Sequence, residues 1–237
     1  MHIHFISASF NRDKSKQYII KSSSHKISIS SYDDHNYPSR RLAMHPRLKG
    51  KIPKMLEWKF VNADWYVWLD DSFSVVSETL AEDILKVAGE NKLCLFRHPD
   101  RNSIKEEFEF VQKKLNNKNL YLHSRYDGEP IKEQVKHYLN NPSFKDNNLF
   151  SMGFFAYHKS MKPLMLDWFL ENIAWSIQDQ ISFPYVLQKH KVKYSVFEGT
   201  FLRNPYVKHE LTKNVTFVKK LNYKIKNFWI AIKSIRG

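Results

Sequence analysis

Glycine is scarce in this chain: six among 237 residues, no two of them within ten positions of each other. A Walker P-loop and a G-x-G-x-x-G dinucleotide fingerprint both need clustered glycines to bring backbone onto phosphate, so both are excluded. Cys94 is the single cysteine, which rules out an intrachain disulfide and a cysteine-built zinc cage. No apolar run approaches the roughly 20 residues of a membrane span. The stretch from Met1 to Ala8 lacks the charged start and sustained apolar core of a signal peptide. Internal repeats and low-complexity linkers are also missing. These absences predict one soluble, cytoplasmic domain.

What the chain does have is positive charge and aromatic side chains. Lys and Arg number 38 against 24 Asp and Glu, a formal charge of +14, and that sign attracts anionic partners: nucleic acid, acidic phospholipid or phosphate-bearing small molecules. Hydrophobic residues make up 42% of the chain and aromatics 15%, enough to bury a sizeable core.

Periodicity alternates between strand and helix. Strands are predicted at His2 to Ser9, Lys26 to Ser31, Tyr66 to Leu69, Leu93 to Phe96 and Phe150 to Tyr157. Helices are predicted after the capping-box patterns Thr79-Leu80-Ala81-Glu82 and Ser103-Ile104-Lys105-Glu106, and from Pro163 to Trp175. The alternation implies an α/β domain with a mixed, mostly parallel sheet flanked by helices. Ligands of such sheets sit at the carboxyl ends of the strands. The run Trp65-Tyr66-Val67-Trp68-Leu69 ends there in Asp70-Asp71. Two adjacent carboxylates repel each other, and hard oxygen ligands select Mg²⁺ or Mn²⁺ completed by substrate phosphates and water. The alternative is a solvated strand end or a helix cap.

Here the sequence resembles a family. Trp68-Leu69-Asp70-Asp71 is similar to the acidic DxD-type motif of GT-A glycosyltransferases. Four further segments resemble the glycosyltransferase-like family that includes plant mucilage-pectin biosynthesis proteins and bacterial members. They are Arg47-Leu48-Lys49-Gly50-Lys51-Ile52-Pro53-Lys54, His98-Pro99-Asp100-Arg101, Tyr126-Asp127-Gly128-Glu129-Pro130, and Asp179-Gln180-Ile181-Ser182-Phe183. They lie in family order between Arg47 and Leu187. The chain departs from the pattern at Gln178, where the family often has arginine, and near Ala156-Tyr157-His158, where an arginine is missing.

The resemblance implies a Rossmann-type, GT-A-like catalytic domain over residues 1–210. It implies transfer of a sugar from a nucleotide donor, UDP-linked, to a glycan or lipid-linked acceptor, with Mn²⁺ or Mg²⁺. Asp70 and Asp71 would hold the metal, and Asp70, Arg47, Lys51, Lys54, His98, Arg101 and Gln180 would hold the donor. Asp179 would take the acceptor proton; a helix-capping role for it is the alternative. His158, His190 and His209 are candidates for a third metal ligand. Arg47, Lys51 and Lys54, spaced four and three apart, would share one helix face, meeting either phosphates or solvent.

Past Glu210 no acid follows, while Lys213, Lys219, Lys220, Lys224, Lys226, Lys233 and Arg236 accumulate. Leu221, Ile225, Phe228, Ile232 and Ile235 recur at helical spacing, which predicts a basic amphipathic helix over residues 211–237. It either packs on the domain or lies on an anionic membrane at the inner face. No specific nucleic-acid motif accompanies the charge. A second function class stays open: a non-catalytic basic module binding membrane or nucleic acid on an inherited GT-A fold.

Overall fold

The computed structural model describes residues 1–10, 16–37, 46–117 and 119–210. In chain order the elements are β1 (His2–Ser9), β2 (Lys26–Asp33), α1 (Pro46–Leu56), β3 (Trp65–Leu69), β4 (Phe73–Val75), α2 (Leu80–Ala88), β5 (Leu93–Arg97), α3 (Ile104–Asn116), α4 (Leu120–Tyr126), α5 (Ile131–Leu139), β6 (Phe150–His158), α6 (Lys162–Ala174), α7 (Asp179–Lys189), β7 (Ser195–Val196) and β8 (Val207–His209). The expected basic tail helix lies outside the described residues.

The main sheet has the order β2-β1-β3-β6-β5-β7, and β4 pairs with β8 in a separate ribbon. Strand β1 runs parallel to β2 and β3, and β5 parallel to β7, while β6 is antiparallel to both its neighbours. The sheet is therefore mixed and mostly parallel, with helices on both faces.

Strand β3 is central, and all five of its residues are buried. Its side chains alternate between faces with the two-residue period of a strand. Trp65, Val67 and Leu69 join a core with Leu80, Ala81 and Ile84 of α2. Tyr66 and Trp68 join the opposite core with Met55 of α1, Trp168 of α6 and Phe183 of α7. A third cluster packs α3, α4 and α5 against Ile181 of α7.

The two capping boxes behave differently. Ser103 accepts from the Glu106 N–H at 3.1 Å, as its pattern predicts. Glu106 reaches the Asn102 N–H (2.6 Å) instead of the Ser103 N–H. Thr79 caps no backbone group; its hydroxyl and that of Ser77 both donate to Asp83. The Ser77 hydroxyl also accepts from the Thr79 N–H at 3.1 Å.

Strand β6 carries an irregularity that shapes the site. Its register against β5 jumps between Leu95, opposite Phe155, and Phe96, opposite Ser151. The extra residues around Gly153 switch which side chains face which core: Phe150 and Met152 face the α1 side, and so do Phe155 and Tyr157. A bulge of this kind releases carbonyls from the ladder and re-aims neighbouring groups. Two carbonyls at the irregularity have partners, the second of them continuing the β3–β6 register. Met152 O accepts from Lys54 Nζ at 2.6 Å, and Gly153 O accepts from the Asp70 N–H at 2.8 Å.

Glycine is required at the bulge by space. A Cβ at Gly153 would stand 2.8 Å from Cε2 of Phe73 and 3.1 Å from Oδ2 of Asp70. Gly153→Ala is expected to cost about 1–3 kcal/mol as an overpacked core does, read by guanidinium unfolding. A cost under about 0.5 kcal/mol would show that Phe73 and Asp70 can yield.

Candidate active site

Asp70 and Asp71 leave the carboxyl end of β3, as the sequence predicts, and the turn they form is held from several sides. The Tyr18 hydroxyl donates to the carbonyls of Asp70 (3.3 Å) and Phe73 (3.2 Å), and Lys16 Nζ donates to the carbonyl of Phe73 (2.8 Å). Burial, reinforced by the charges of Asp71 and Asp70, pushes the Tyr18 phenol up to about 12, so it stays a donor. The Ser9 hydroxyl at the end of β1 donates to Asp71 Oδ2 at 2.7 Å.

Asp70 takes a different environment. Two residues before it on the same strand face, Trp68 donates its indole N–H to Asp70 Oδ1 at 2.7 Å. Burial raises the Asp70 carboxyl above the usual range; Lys54 opposes that and the charge of Asp179 adds to it. A cation beside Asp70 would relieve this cost.

The basic face of α1 is neither solvated nor turned outward. Lys51 and Lys54 are 8% and 4% exposed, and both ammoniums converge on Asp179 Oδ2, at 2.5 and 2.7 Å. Lys54 also lies over the rings of Trp68 and Trp168, at 5.4 and 5.7 Å. Burial pulls Lys51 down to about 8, with Asp179 partly offsetting it. Burial alone would raise Asp179, but the two lysines outweigh it and hold the carboxyl well below the usual range. Asp179 is the first residue of α7, and its carboxylate goes to the lysines instead of capping the helix. Its carbonyl accepts from the Trp168 indole at 3.2 Å, which fixes the start of α7 against α6.

His98 and Arg101 follow β5 and build a separate network. Nδ1 of His98 accepts from the backbone N–H groups of Asp100 and Arg101 (3.2 and 3.1 Å), and the Arg101 guanidinium sits 2.9 Å from Nε2. Arg101 Nε donates to Glu107 at 2.5 Å. The other oxygen of Glu107 accepts from the Gln178 amide (2.7 Å), whose carbonyl accepts from the Tyr126 hydroxyl (2.6 Å). Gln178, which stands where the family often has arginine, is thus the hub. Gln180 donates to the Phe150 carbonyl at 3.2 Å, tying α7 to β6. Arg47 stands in the first turn of α1 and is half-buried.

His98 has a consequence for folding. Burial and the Arg101 charge pull its imidazole down to about 4. Between about pH 6.5 and 4 the unfolded chain takes a proton that the folded one refuses, so stability falls with pH through that window. At about 1.4 kcal/mol per pKa unit the full loss approaches about 3.5 kcal/mol, less where solvent screens the ring, and about half of it falls between pH 7 and pH 5. Urea midpoints at pH 7 and pH 5, for the parent and for His98→Gln, check this: the variant's midpoint should fall less on acidification, and equal falls would refute it.

The proposed third metal ligands do not gather around the acidic pair. His158 faces Trp65 and accepts from the Ser160 N–H, and His190 pairs with Asp167 at 2.9 Å. His209 stands on β8 across from Phe73, its ring 5.1 Å away. Among the described residues no group of three or more His, Cys, Asp or Glu side chains is set to hold a metal. Among the described residues, this strand end offers a divalent ion the carboxylates of Asp70 and Asp71, the first of them raised by burial. That donor set fits Mg²⁺ or Mn²⁺ that arrives with phosphates and water.

Several of these partners have no sequence motif. Gly153 was visible only as a glycine inside an aromatic strand, and Trp68 only by its two-residue spacing from Asp70. Glu107, Tyr126 and Gln178 meet through the packing of α3, α4 and α7, which no local pattern encodes.

No sequence among curated proteins matches the chain. Among solved structures it is similar to a glycosyltransferase involved in the glycosylation of the major capsid of PBCV-1, at 9% identity and TM-score 0.45, over 94% of this chain and 98% of that one. It is also similar to a protein of STIV, at 10% identity and TM-score 0.37, over 87% of this chain and 83% of that one. The family model described as TOD1/MUCI70, glycosyltransferase-like domain, matches residues 39–210 and so takes in β3 with its acidic pair, the α1 lysines and Asp179. The chain belongs to the TOD1/MUCI70 glycosyltransferase-like family.

Proposed function

We propose that this domain is a glycosyltransferase that moves a sugar from a nucleotide donor, UDP-linked, to a glycan or lipid-linked acceptor. The observation that carries the reading is the cluster of half-buried and buried charges at the end of β3: Asp70, Lys54, Asp179 and Lys51. Breaking a sugar–phosphate bond builds negative charge on the leaving diphosphate, and fixed cations in a dry site lower that barrier. Mn²⁺ or Mg²⁺ held by Asp70 and Asp71 would supply Lewis-acid stabilisation of that diphosphate.

Lys51 and Lys54 give the site a second role. A diphosphate arriving beside them competes with Asp179 for their charge. As the ammoniums turn to phosphate, the carboxylate regains proton affinity and becomes a better base for the acceptor hydroxyl. Asp179 held by both lysines is a weak base, so donor binding would precede acceptor activation. Gln180 and Arg101 hold the walls in place through Phe150 and Glu107.

The test is a screen of UDP-linked sugars with the full chain and Mn²⁺, reading released UDP. Turnover of one donor above the spontaneous rate supports the reading; none, with or without oligosaccharide acceptors, counts against it.

The basic tail supports a peripheral membrane association as part of this reading. Among the described residues no helix is long and apolar enough to cross a membrane. Seven basic residues at roughly 1 kcal/mol each could hold an enzyme reversibly on an anionic leaflet. Ending the chain at Glu210 should abolish sedimentation with phosphatidylserine vesicles and leave UDP binding intact. Undiminished sedimentation would place the membrane contact elsewhere.

A further inference from the structure

Strand β1 places His2 and His4 two residues apart, on one face. His2 Nδ1 lies 3.0 Å from the Asn62 carbonyl, and its Nε2 lies 2.6 Å from the Ser28 hydroxyl of β2. The same hydroxyl lies 2.7 Å from His4 Nδ1, and His4 Nε2 lies 3.0 Å from Glu57 Oε1. Tyr32 closes the chain by donating to that oxygen at 2.7 Å. The contacts run unbroken from Asn62 to Tyr32 and involve none of the residues assigned to sugar transfer.

Protons can be counted along this chain. A backbone carbonyl only accepts, so His2 Nδ1 carries a proton. The Ser28 hydroxyl has one proton and donates to one ring, so the other ring must donate to it. A proton also lies between His4 Nε2 and Glu57, because a bare ring nitrogen facing a carboxylate would be repelled. Tyr32 does not supply it: burial pushes its phenol up to about 12, and its own proton already points at Glu57 Oε1. The two rings and the carboxyl therefore hold at least three protons. Two neutral imidazoles and a carboxylate hold only two.

A second observation points the same way. Glu57 is fully buried, and its Oε2 has no hydrogen-bond partner among the described residues. A bare carboxylate there would be costly. The phenols of Tyr32, Tyr37, Tyr66 and Tyr157 all sense the charge of Glu57, and burial raises each of them, so they stay neutral. Lys159 is spent on Asp64 at 2.8 Å, and Asp64 also accepts from the His2 N–H and senses the terminal ammonium. Lys26, opposite His2 in the β1–β2 register, is exposed. The neutralising proton is left to the two histidines and Glu57 themselves.

We propose that His2, His4 and Glu57 share one additional proton, and that this buried proton is a pH-sensitive clasp between β1 and the end of α1. Glu57 directly follows α1, and Lys51 and Lys54 lie within two turns of it on that helix. Loss of the proton leaves a bare carboxylate beneath the helix that presents both ammoniums to Asp179. Above about pH 6.5 an unfolded histidine is mostly neutral. There the folded chain holds one proton more than the unfolded chain, so the clasp's contribution falls as pH rises.

Urea unfolding of the full chain and of Glu57→Gln, at about pH 7 and about pH 8, tests this. The glutamine amide can donate to His4 Nε2, so the variant keeps every contact with both rings neutral. The ratio of parent to variant unfolding constants should rise about tenfold over that unit, the worth of one proton. Lys51 and His98 titrate alike in both proteins and cancel from the ratio. A network without the additional proton would change stability by the same factor at both pH values, and that constant ratio overturns the proposal. Ser28→Ala removes the shared hydroxyl from a half-buried position and so removes the need for the proton. It should show the same rise if Glu57→Gln does not fold, and a constant ratio there overturns the proposal equally.

Discussion

Replacing Asp179 with alanine is expected to cost about 3–5 kcal/mol of stability, the range seen when one partner of a buried ion pair is removed. Two ammoniums would remain inside the domain. Lys54 would keep the Met152 carbonyl, but Lys51 would lose the group that offsets its burial. Burial already pulls Lys51 down to about 8 with Asp179 present, so without it the lysine must deprotonate, move out or let water in. A compensating variant separates charge from shape. Lys51→Met and Lys54→Met, added to Asp179→Ala, should recover most of the loss, because well-packed apolar residues often replace a buried ionic cluster without penalty. Guanidinium unfolding of the single, double and triple variants checks it. A loss below about 1 kcal/mol for Asp179→Ala would mean that the three charges are hydrated and that the cluster is not a dry site. The same carboxylate makes the protein acid-labile: Asp179 sits below its unfolded value, so its contribution is present above about pH 4 and fades as pH falls further.

The largest effect on activity is expected at Asp70. Asp70→Asn keeps the volume and an oxygen to accept from the Trp68 indole, so the turn and the fold should survive. It removes the charge. If Asp70 helps to neutralise the diphosphate through a divalent ion, UDP release should fall about 10²- to 10³-fold, the loss typical of one electrostatic group at a transition state. The fall should appear in kcat/KM, with the unfolding midpoint nearly unchanged. Because burial raises the Asp70 carboxyl, the substitution could even stabilise the apo fold slightly. A variant with parental turnover would remove Asp70 from the chemistry and leave its burial as a purely structural fact.

How far the sequence could reach is seen in particular residues. Strand β3 was legible because the short apolar run Tyr66 to Leu69, stopped abruptly by two acids, is too short for a typical helix and suits a strand buried on both faces. The acids then had to emerge at its carboxyl end. The helix spacing of Lys51 and Lys54 was legible too, but not their partner. Asp179 lies 128 and 125 residues away, and only the packing of α1 against the start of α7 brings the three together. Local spacing put them on one face and could not say whether that face meets solvent, phosphate or a carboxylate. The antiparallel direction of β6 and its bulge were illegible, since an apolar run reads the same in either direction and one glycine among aromatics does not announce a register jump. Asp179 itself allowed both a cap and a site role; the structure sends its side chain away from the helix N–H groups and onto the lysines.

A nucleotide diphosphate is expected to bind at the end of β3 through Asp70, Asp71 and a divalent ion. Calorimetric titration of the full chain with UDP, with and without Mn²⁺, tests it most directly, repeated on the double variant Asp70→Ala, Asp71→Ala. The prediction is metal-dependent binding by the parent and none by the variant, with the tail-truncated chain binding as the parent does. A parent that binds no UDP, or a double variant that binds it equally well, would contradict the claim.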